Sequence, residues 1–436
     1  MTSQDAYANL ALAHEAGGLS ARDAAFATEL TFGTCRALGT YDAILASVSS
    51  RPLAELDPPV LDLLRLGTHQ LLAMRVPQHA AVDSTVALAK AEIGPRITGF
   101  VNAVLRKVST DTLTGWVDWL TAAADPRDAL ALATQHPRWI VDAWADALGQ
   151  PGTDELRAAL EADNEAPTNH LVVRPGLAEV AELGGEPARY SPFGAYAGGS
   201  PAGIPAVAEG RAGVQDEGSQ LVALALSRVA APPGPWLDLC AGPGGKAALL
   251  AGLAIQDGTR LVASELQFHR ARLVAQNLAA YHGVPDPVSS TRPAADSHAP
   301  ITLTADGTRP PWRPGSFAKV MADVPCSGLG ALRRRPEARW RRQPADVEGL
   351  VGLQVALLQT ALSSAQPGGV VAYVTCSPHL AETREVLKTV AGVETLRAAD
   401  YLPEVPDAAV GDFVQLWPHR HGTDAMFLAL LRVNPR

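Results

Sequence analysis

Through the first 130 residues the apolar positions recur at the period of a helix with one buried face. Asp57-Pro58-Pro59 reads as an N-cap with prolines in the first turn, and Val60, Leu63, Leu64 and Leu71 then share a face. A second stretch carries Val82 and Val86, and a third, after Gly99, carries Phe100, Val101, Val104, Leu105 and Val108. Residues 1–130 are predicted to form an all-α domain. Between 131 and 225 the pattern weakens. His136-Pro137-Arg138-Trp139 opens a further helix, Leu171-Val172-Val173 is a short strand, and residues 191–213, rich in Gly, Pro and Ala, read as a long loop. This is an adaptor region.

From residue 226 short apolar runs alternate with helical patterns, the signature of a doubly wound α/β sheet. Strands are expected at Trp236–Leu239, Arg260–Ser264, Ile301–Thr304, Lys319–Ala322, Val370–Thr375, Val414–Trp417 and Met426–Leu431, the last two as an antiparallel pair.

Composition changes this picture little. A chain of 436 residues exceeds one compact core, and 47% hydrophobic with 19% charged residues supplies ample material for several. Asp5, His14, Glu15, Arg22 and Asp23 interrupt the first thirty residues as no secretory signal tolerates, and no uncharged apolar run near 18 residues stands out. The expectation is a cytoplasmic monomer without membrane association. Cys35, Cys240, Cys326 and Cys376 lack any metal-ligand spacing, so no metal is expected.

The net charge of −9 argues against a general nucleic-acid binder, yet one segment departs from it. Arg333, Arg334, Arg335, Arg339, Arg341 and Arg342 crowd around Trp340 just after a cysteine motif. They are candidate contacts to RNA phosphates, with a solvated surface as the plain alternative.

Asp238-Leu239-Cys240-Ala241-Gly242-Pro243-Gly244-Gly245-Lys246 is a strand end, a glycine turn and a helix start. Such a turn lets backbone approach a ligand and leaves amides exposed at the helix N-terminus. Glu265 ends the next strand, where a carboxylate takes ribose hydroxyls, and Asp306-Gly307 closes the one after it, within reach of an adenine amino group. A dinucleotide would suit the same crevice, but Gly-Pro-Gly-Gly departs from its fingerprint, so S-adenosylmethionine is favoured. The sheet is then of the class I (Rossmann-like) methyltransferase type, with seven strands.

Asp323-Val324-Pro325-Cys326-Ser327 and Thr375-Cys376-Ser377 follow the fourth and fifth strands, so both thiols and Asp323 are expected to face the cofactor. Cys35 and Cys240 read as inert buried thiols. Carbon 5 of cytosine is a poor nucleophile until a thiolate adds to carbon 6 and makes the ring an enamine. Asp323 is placed to hold the N3/N4 edge of such a base. Residue chemistry alone leaves open which cysteine attacks.

On these motifs the chain resembles the RsmB (Fmu/Sun) family of ribosomal RNA cytosine-5 methyltransferases. The helical half is similar to its NusB-like RNA-binding domain in Leu56-Asp57-Pro58-Pro59, Arg75 to Val82 and Gly99 to Arg106. Gln215-Asp216-Glu217-Gly218-Ser219-Gln220 is similar to the family's segment before the cofactor strand, and Arg270 accompanies Glu265. The resemblance implies that Cys376 attacks carbon 6, that Cys326 helps release the product and that small-subunit ribosomal RNA is the substrate; transfer RNA, or a non-catalytic role in RNA assembly, are the alternatives. Ala241-Gly242 stands where two alanines are commoner, Leu329 replaces a small polar residue, and the acidic residues after Thr-Cys-Ser are thinned to Glu382 and Glu385, leaving the base for the carbon 5 proton unassigned. The expected division is 1–130 NusB-like domain, 131–225 adaptor and 226–436 methyltransferase domain.

Overall fold

The computed structural model describes residues 8–150, 152–282 and 298–434. The chain forms two compact units, Met1–Glu165 with Leu332–Gln343, and Ala166–Ala331 with Pro344–Arg436.

The first unit is helical, as its periodicity requires. Helices Leu38–Val48, Pro58–Leu72, Gln78–Glu92 and Thr98–Val108 enclose a core in which Tyr41, Ile44, Leu45, Leu64, Val101 and Leu105 are fully buried. Each such side chain contributes about 1.5–3 kcal/mol of burial free energy. Asp57 does precede the first turn, but its side chain makes no capping hydrogen bond; the prolines at the start of the helix set the geometry instead.

The expected boundary at 130 moves. Helices Pro126–Ala133, Arg138–Ala147 and Thr153–Ala162 continue the helical unit to Glu165, and residues 332–343, expected within the methyltransferase domain, belong to it as well. Strong periodicity fades after residue 120 because these helices are short.

The second unit opens with a four-stranded antiparallel sheet made of β1 (Asn169–Val173), β2 (Glu186–Pro187), β3 (Gly194–Ala197) and β4 (Ala212–Val214), in the order β2-β3-β1-β4. β3 and β4 lie inside the stretch expected to be a long loop. Gly194-Ala195-Tyr196-Ala197 is too short and too small-sided to show alternation.

The main sheet holds β5 (Trp236–Asp238), β6 (Leu261–Glu265), β7 (Ile301–Thr304), β8 (Phe317–Asp323), β9 (Ala365–Thr375), β10 (Val393–Leu396), β11 (Ala409–Val410), β12 (Phe413–Gln415) and β13 (Phe427–Val433). Its order is β11-β12-β13-β9-β8-β5-β6-β7, with β10 paired to β13. The seven expected strands are present, and the short β10 and β11 extend the far edge. β5 through β9 pair in parallel, and β13 runs antiparallel to β9.

β9 shows why the strands read as continuous apolar runs. Val370, Ala372 and Val374 enter the core under helices Glu217–Arg228 and Gly245–Gln256, while Val371 and Tyr373 enter the core under helix Pro344–Ser364. That last helix has the length and composition of a membrane span, which the sequence expectation passed over. Its Leu357, Leu358 and Ala361 are buried against the sheet.

Candidate active site

Register brings the candidate residues to one edge. Asp238 ends β5 opposite Met321, Glu265 ends β6, Asp323 ends β8 opposite Val374, and Cys376 follows the end of β9. In a parallel sheet these ends open on one crevice, at the point where the strand order reverses.

The glycine turn is held from behind. The Gly242 amide donates to Glu265 Oε2 at 3.0 Å, Arg270 donates to the Gly242 carbonyl at 2.7 Å, and Asn277 donates to the Pro243 carbonyl at 3.0 Å. Gly244 has φ of +117°, and a Cβ there would lie 3.0 Å from the Val274 backbone, so only glycine lets the helix Gly245–Gln256 start this close to helix Phe268–Leu278. Glu265 also accepts the Gln267 amide at 3.0 Å. Asp306 lies just past β7, its carboxylate held below its ordinary range by the Thr308 hydroxyl and amide at 2.7 and 2.9 Å.

Asp238 differs from all of these. It is 1% exposed, and neither carboxylate oxygen has a hydrogen-bond partner. Burial, and then the neighbouring Asp323, push its carboxyl up to about 7, against the pull of Lys246 and the nearby Cys240 amide. Lys246 pairs with Asp323 at 2.9 Å. Burial works to lower its pKa, but Asp323, with lesser help from Cys376 and Asp238, raises it, so the ammonium stays charged.

The two thiols meet: Cys326 Sγ lies 3.3 Å from Cys376 Sγ. The hydrogen bond with Cys376, and then burial, push the Cys326 thiol well above its ordinary value. Burial does the same to Cys240 and takes Cys35 to about 12, which agrees with inert roles for both.

The loop carrying Cys326 is locked by Glu382, fully buried on the short turn after Cys376. Glu382 accepts from the Ser327 amide at 2.7 Å, from the Ser327 hydroxyl, and from Gln354 Nε2 at 3.1 Å. Ser327 and Ser377 hydroxyls sit 3.1 Å apart. Gly330 ties the two loops further: its amide donates to the Cys376 carbonyl at 2.9 Å, and a Cβ would stand 2.3 Å from the Ala425 carbonyl oxygen. Glu382 was legible only as an acidic residue near Thr-Cys-Ser, and the supporting Gln354, in mid-helix, carried no signal.

Residues 230–432 match the family described as 16S rRNA methyltransferase RsmB/F, and residues 1–110 match the NusB family. Ribosomal RNA small subunit methyltransferase B of Pseudomonas putida is 32% identical over 84% of this chain and 80% of its own length. The chain belongs to the RsmB/F family. A methyltransferase of Mycobacterium tuberculosis is 49% identical over 99% of this chain and 94% of its own. Among solved structures, a methyltransferase homologue from Pyrococcus horikoshii has a TM-score of 0.54 at 21% identity, covering 71% of this chain and 99% of that one. NSun6 from the same organism, solved with SFG, has a TM-score of 0.54 at 16% identity, covering 68% and 98%.

As an RsmB/F member the protein is an RNA methyltransferase that uses S-adenosylmethionine. The crevice fits that cofactor. The unpartnered, buried Asp238 carboxylate is an acceptor for a cationic group, and the glycine turn leaves room for close approach. Glu265 and Asp306 stand at the neighbouring strand ends.

The arginine run is divided by the fold. Arg339 is fully buried and cannot meet a phosphate as it stands: it pairs with Asp163 at 3.2 Å and donates to Asn164 Oδ1 at 2.6 Å and the Gln135 carbonyl at 2.9 Å. Burial, and then Arg339, depress His136 beside it to about 4. Trp340 is likewise spent on packing. Its indole N–H donates to the Arg36 carbonyl at 3.1 Å, and its ring fills the space over Gly39, where a Cβ would be 2.2 Å away. Arg333 is buried too, whereas Arg335 is exposed and Arg334, Arg341 and Arg342 are half-buried.

Proposed function

We propose that this enzyme methylates carbon 5 of a cytidine in small-subunit ribosomal RNA, with Cys376 adding to carbon 6. The observation that carries the reading is the pair of sulfurs 3.3 Å apart at the ends of adjacent parallel strands. Two thiolates at that distance would repel by about 5 kcal/mol at an effective dielectric near 20, so only one ionises. The Cys326 thiol, raised by its hydrogen bond with Cys376 and by burial, is suited to act as donor to the Cys376 sulfur. The charged Lys246 lies close enough to interact with Cys376.

The thiolate adds to carbon 6 and moves electron density to carbon 5, while Asp323 receives the N3/N4 edge of the base. S-adenosylmethionine supplies the electrophilic methyl group. A base, water or a side chain, takes the carbon 5 proton, the electrons of that C–H bond restore the 5,6 double bond and break the carbon 6–sulfur bond, and Cys326, in contact with the departing sulfur, donates a proton to it. Asp238, Glu265 and Asp306, with the turn Cys240 to Lys246, Arg270 and Gly307, hold the cofactor. The exposed Arg335, with the half-buried Arg334, Arg341 and Arg342, meets RNA phosphates.

Bisulfite sequencing of RNA from a deletion strain tests the reading. One cytidine in small-subunit ribosomal RNA is expected to lose its protection. A change confined to transfer RNA would overturn the substrate, and an unchanged pattern would overturn the carbon 5 chemistry.

A further inference from the structure

Within the segment Gln215-Asp216-Glu217-Gly218, every side chain but one is consumed by the fold. Asp216 caps the helix Glu217–Arg228 through the Gly218 amide at 2.8 Å and accepts the Asp424 amide at 3.1 Å. Glu217, fully buried, accepts the Tyr190 and Ser191 amides at 2.6 and 2.7 Å and the Tyr196 hydroxyl. A Cβ on Gly218 would meet Asp216 Oδ2 at 2.9 Å and Met426 at 3.0 Å. The backbone of Gln215 is equally fixed: its amide donates to the His170 carbonyl at 2.9 Å, and its carbonyl accepts from Gln220 at 2.9 Å.

The Gln215 carboxamide has no such employment. The residue is 7% exposed, and both Nε2 and Oε1 lack a partner. A carboxamide has four hydrogen-bonding positions, and burying all of them unused is costly unless a ligand takes them up. The side chain lies against the glycine turn: a Cβ on Gly245 would be 3.7 Å from Gln215 Oε1 and 4.0 Å from its Cγ. Gly245 begins the twelve-residue helix Gly245–Gln256, whose N-cap, Gly244, offers no side-chain acceptor. The first-turn amides of that helix therefore favour an anionic group.

We propose that the Gln215 carboxamide binds the amino-acid end of S-adenosylmethionine, donating to its carboxylate beside the first turn of helix Gly245–Gln256. That end is a zwitterion, and the turn offers a complement to each half. The unpartnered Asp238 carboxylate suits the ammonium, and the Gln215 N–H groups with the helix amides suit the carboxylate. The inference rests on the cofactor and not on the target base, so it is independent of the cytosine chemistry.

Calorimetric titration of the full-length protein with two cofactor fragments tests it. S-adenosylhomocysteine carries the amino-acid end, and 5′-methylthioadenosine has the same nucleoside and thioether without it. Gln215→Ala is expected to weaken S-adenosylhomocysteine about tenfold, as for loss of a hydrogen bond to a charged group, and to leave 5′-methylthioadenosine unchanged. Gln215→Met keeps the length without the polar head and should behave the same way. Gln215→Glu, setting a carboxylate against the ligand's own, should weaken S-adenosylhomocysteine more than either. Equal weakening of both ligands would make Gln215 a shaping residue of the turn and overturn the proposal, as would unchanged binding of both. Failure of the native protein to bind either ligand would instead count against the cofactor.

Discussion

With Asp238 holding the cofactor's ammonium as proposed, cofactor affinity is expected to depend on pH in a range where most carboxylates are already ionised. The Asp238 carboxyl sits at about 7, and only its charged form attracts the cofactor's ammonium. The ionised fraction falls from about three-quarters at pH 7.5 to about one-tenth at pH 6, which lowers apparent affinity about eightfold. The cofactor's own ammonium, with an ordinary value of about 7.7–8.0, works the other way and trims the change to about fivefold, or about 1 kcal/mol. Stability follows the opposite sign. Because the folded value lies above the unfolded 3.8, the stability this group contributes is fully present below the unfolded value and is lost as pH rises through about 7. The free enzyme thus loses stability over the interval in which it gains affinity. Titration calorimetry with S-adenosylmethionine at pH 6, 6.5, 7 and 7.5, in two buffers of different ionisation heat, reads both the affinity and the protons released. Net release of about 0.3–0.4 proton is expected at pH 7, the half proton from Asp238 less the fraction taken up by the ammonium. Asp238→Asn should flatten the profile, weaken binding at pH 7.5 by about 1–3 kcal/mol and raise the melting temperature of the free enzyme by several degrees. A flat profile in the native protein, or an unaltered slope in Asp238→Asn, would refute the reasoning.

Cys376→Ala should abolish methyl transfer while RNA binding survives, and Cys326→Ala should accumulate a covalent complex with methylated RNA, seen as a shifted band on a denaturing gel; the converse pattern would exchange their roles. Glu382→Ala leaves the Ser327 amide and hydroxyl without their acceptor, so it should cost about 2–4 kcal/mol in denaturant unfolding and slow turnover with cofactor affinity intact. Arg339→Met leaves the buried Asp163 with His136 as its remaining charged partner and should destabilise the helical unit by up to about 3 kcal/mol without changing the salt dependence of RNA binding. Arg335→Gln with Arg342→Gln should instead reduce that salt slope by up to about one unit for each phosphate the pair neutralises, and an unchanged slope would remove both from the interface.

The strand ends were the most legible part of the molecule, for a physical reason. A parallel strand buried on both faces must be apolar throughout, so the first polar residue after the run marks the crevice, as Asp238, Glu265 and Asp323 do. What each residue does with its polar atoms was not legible. Arg339 and Arg335 stand four places apart in one arginine-rich run, and only the helical unit around them makes one a buried partner of Asp163 and leaves the other exposed. Glu382 is another such case, since its partners Ser327 and Gln354 come from distant parts of the chain. Of the small sheet only β1 was legible, as Leu171-Val172-Val173; β2, β3 and β4 escaped notice because they are two to four residues long, so alternation never accumulates.

Asp323, Asp238 and Glu265 stand at consecutive positions along the sheet edge, the first proposed to face the base and the other two the cofactor. Under the mechanism proposed above, those same carboxylates oppose formation of the attacking thiolate. Lys246 meets that conflict. Paired with Asp323 at 2.9 Å and kept charged by it, it also feels Cys376 and Asp238. It therefore offsets the repulsion between the carboxylates and the Cys376 sulfur. Removing its charge would push Asp238 toward its protonated form, tying the charge state of the buried carboxyl at the end of β5 to one side chain at the start of one helix.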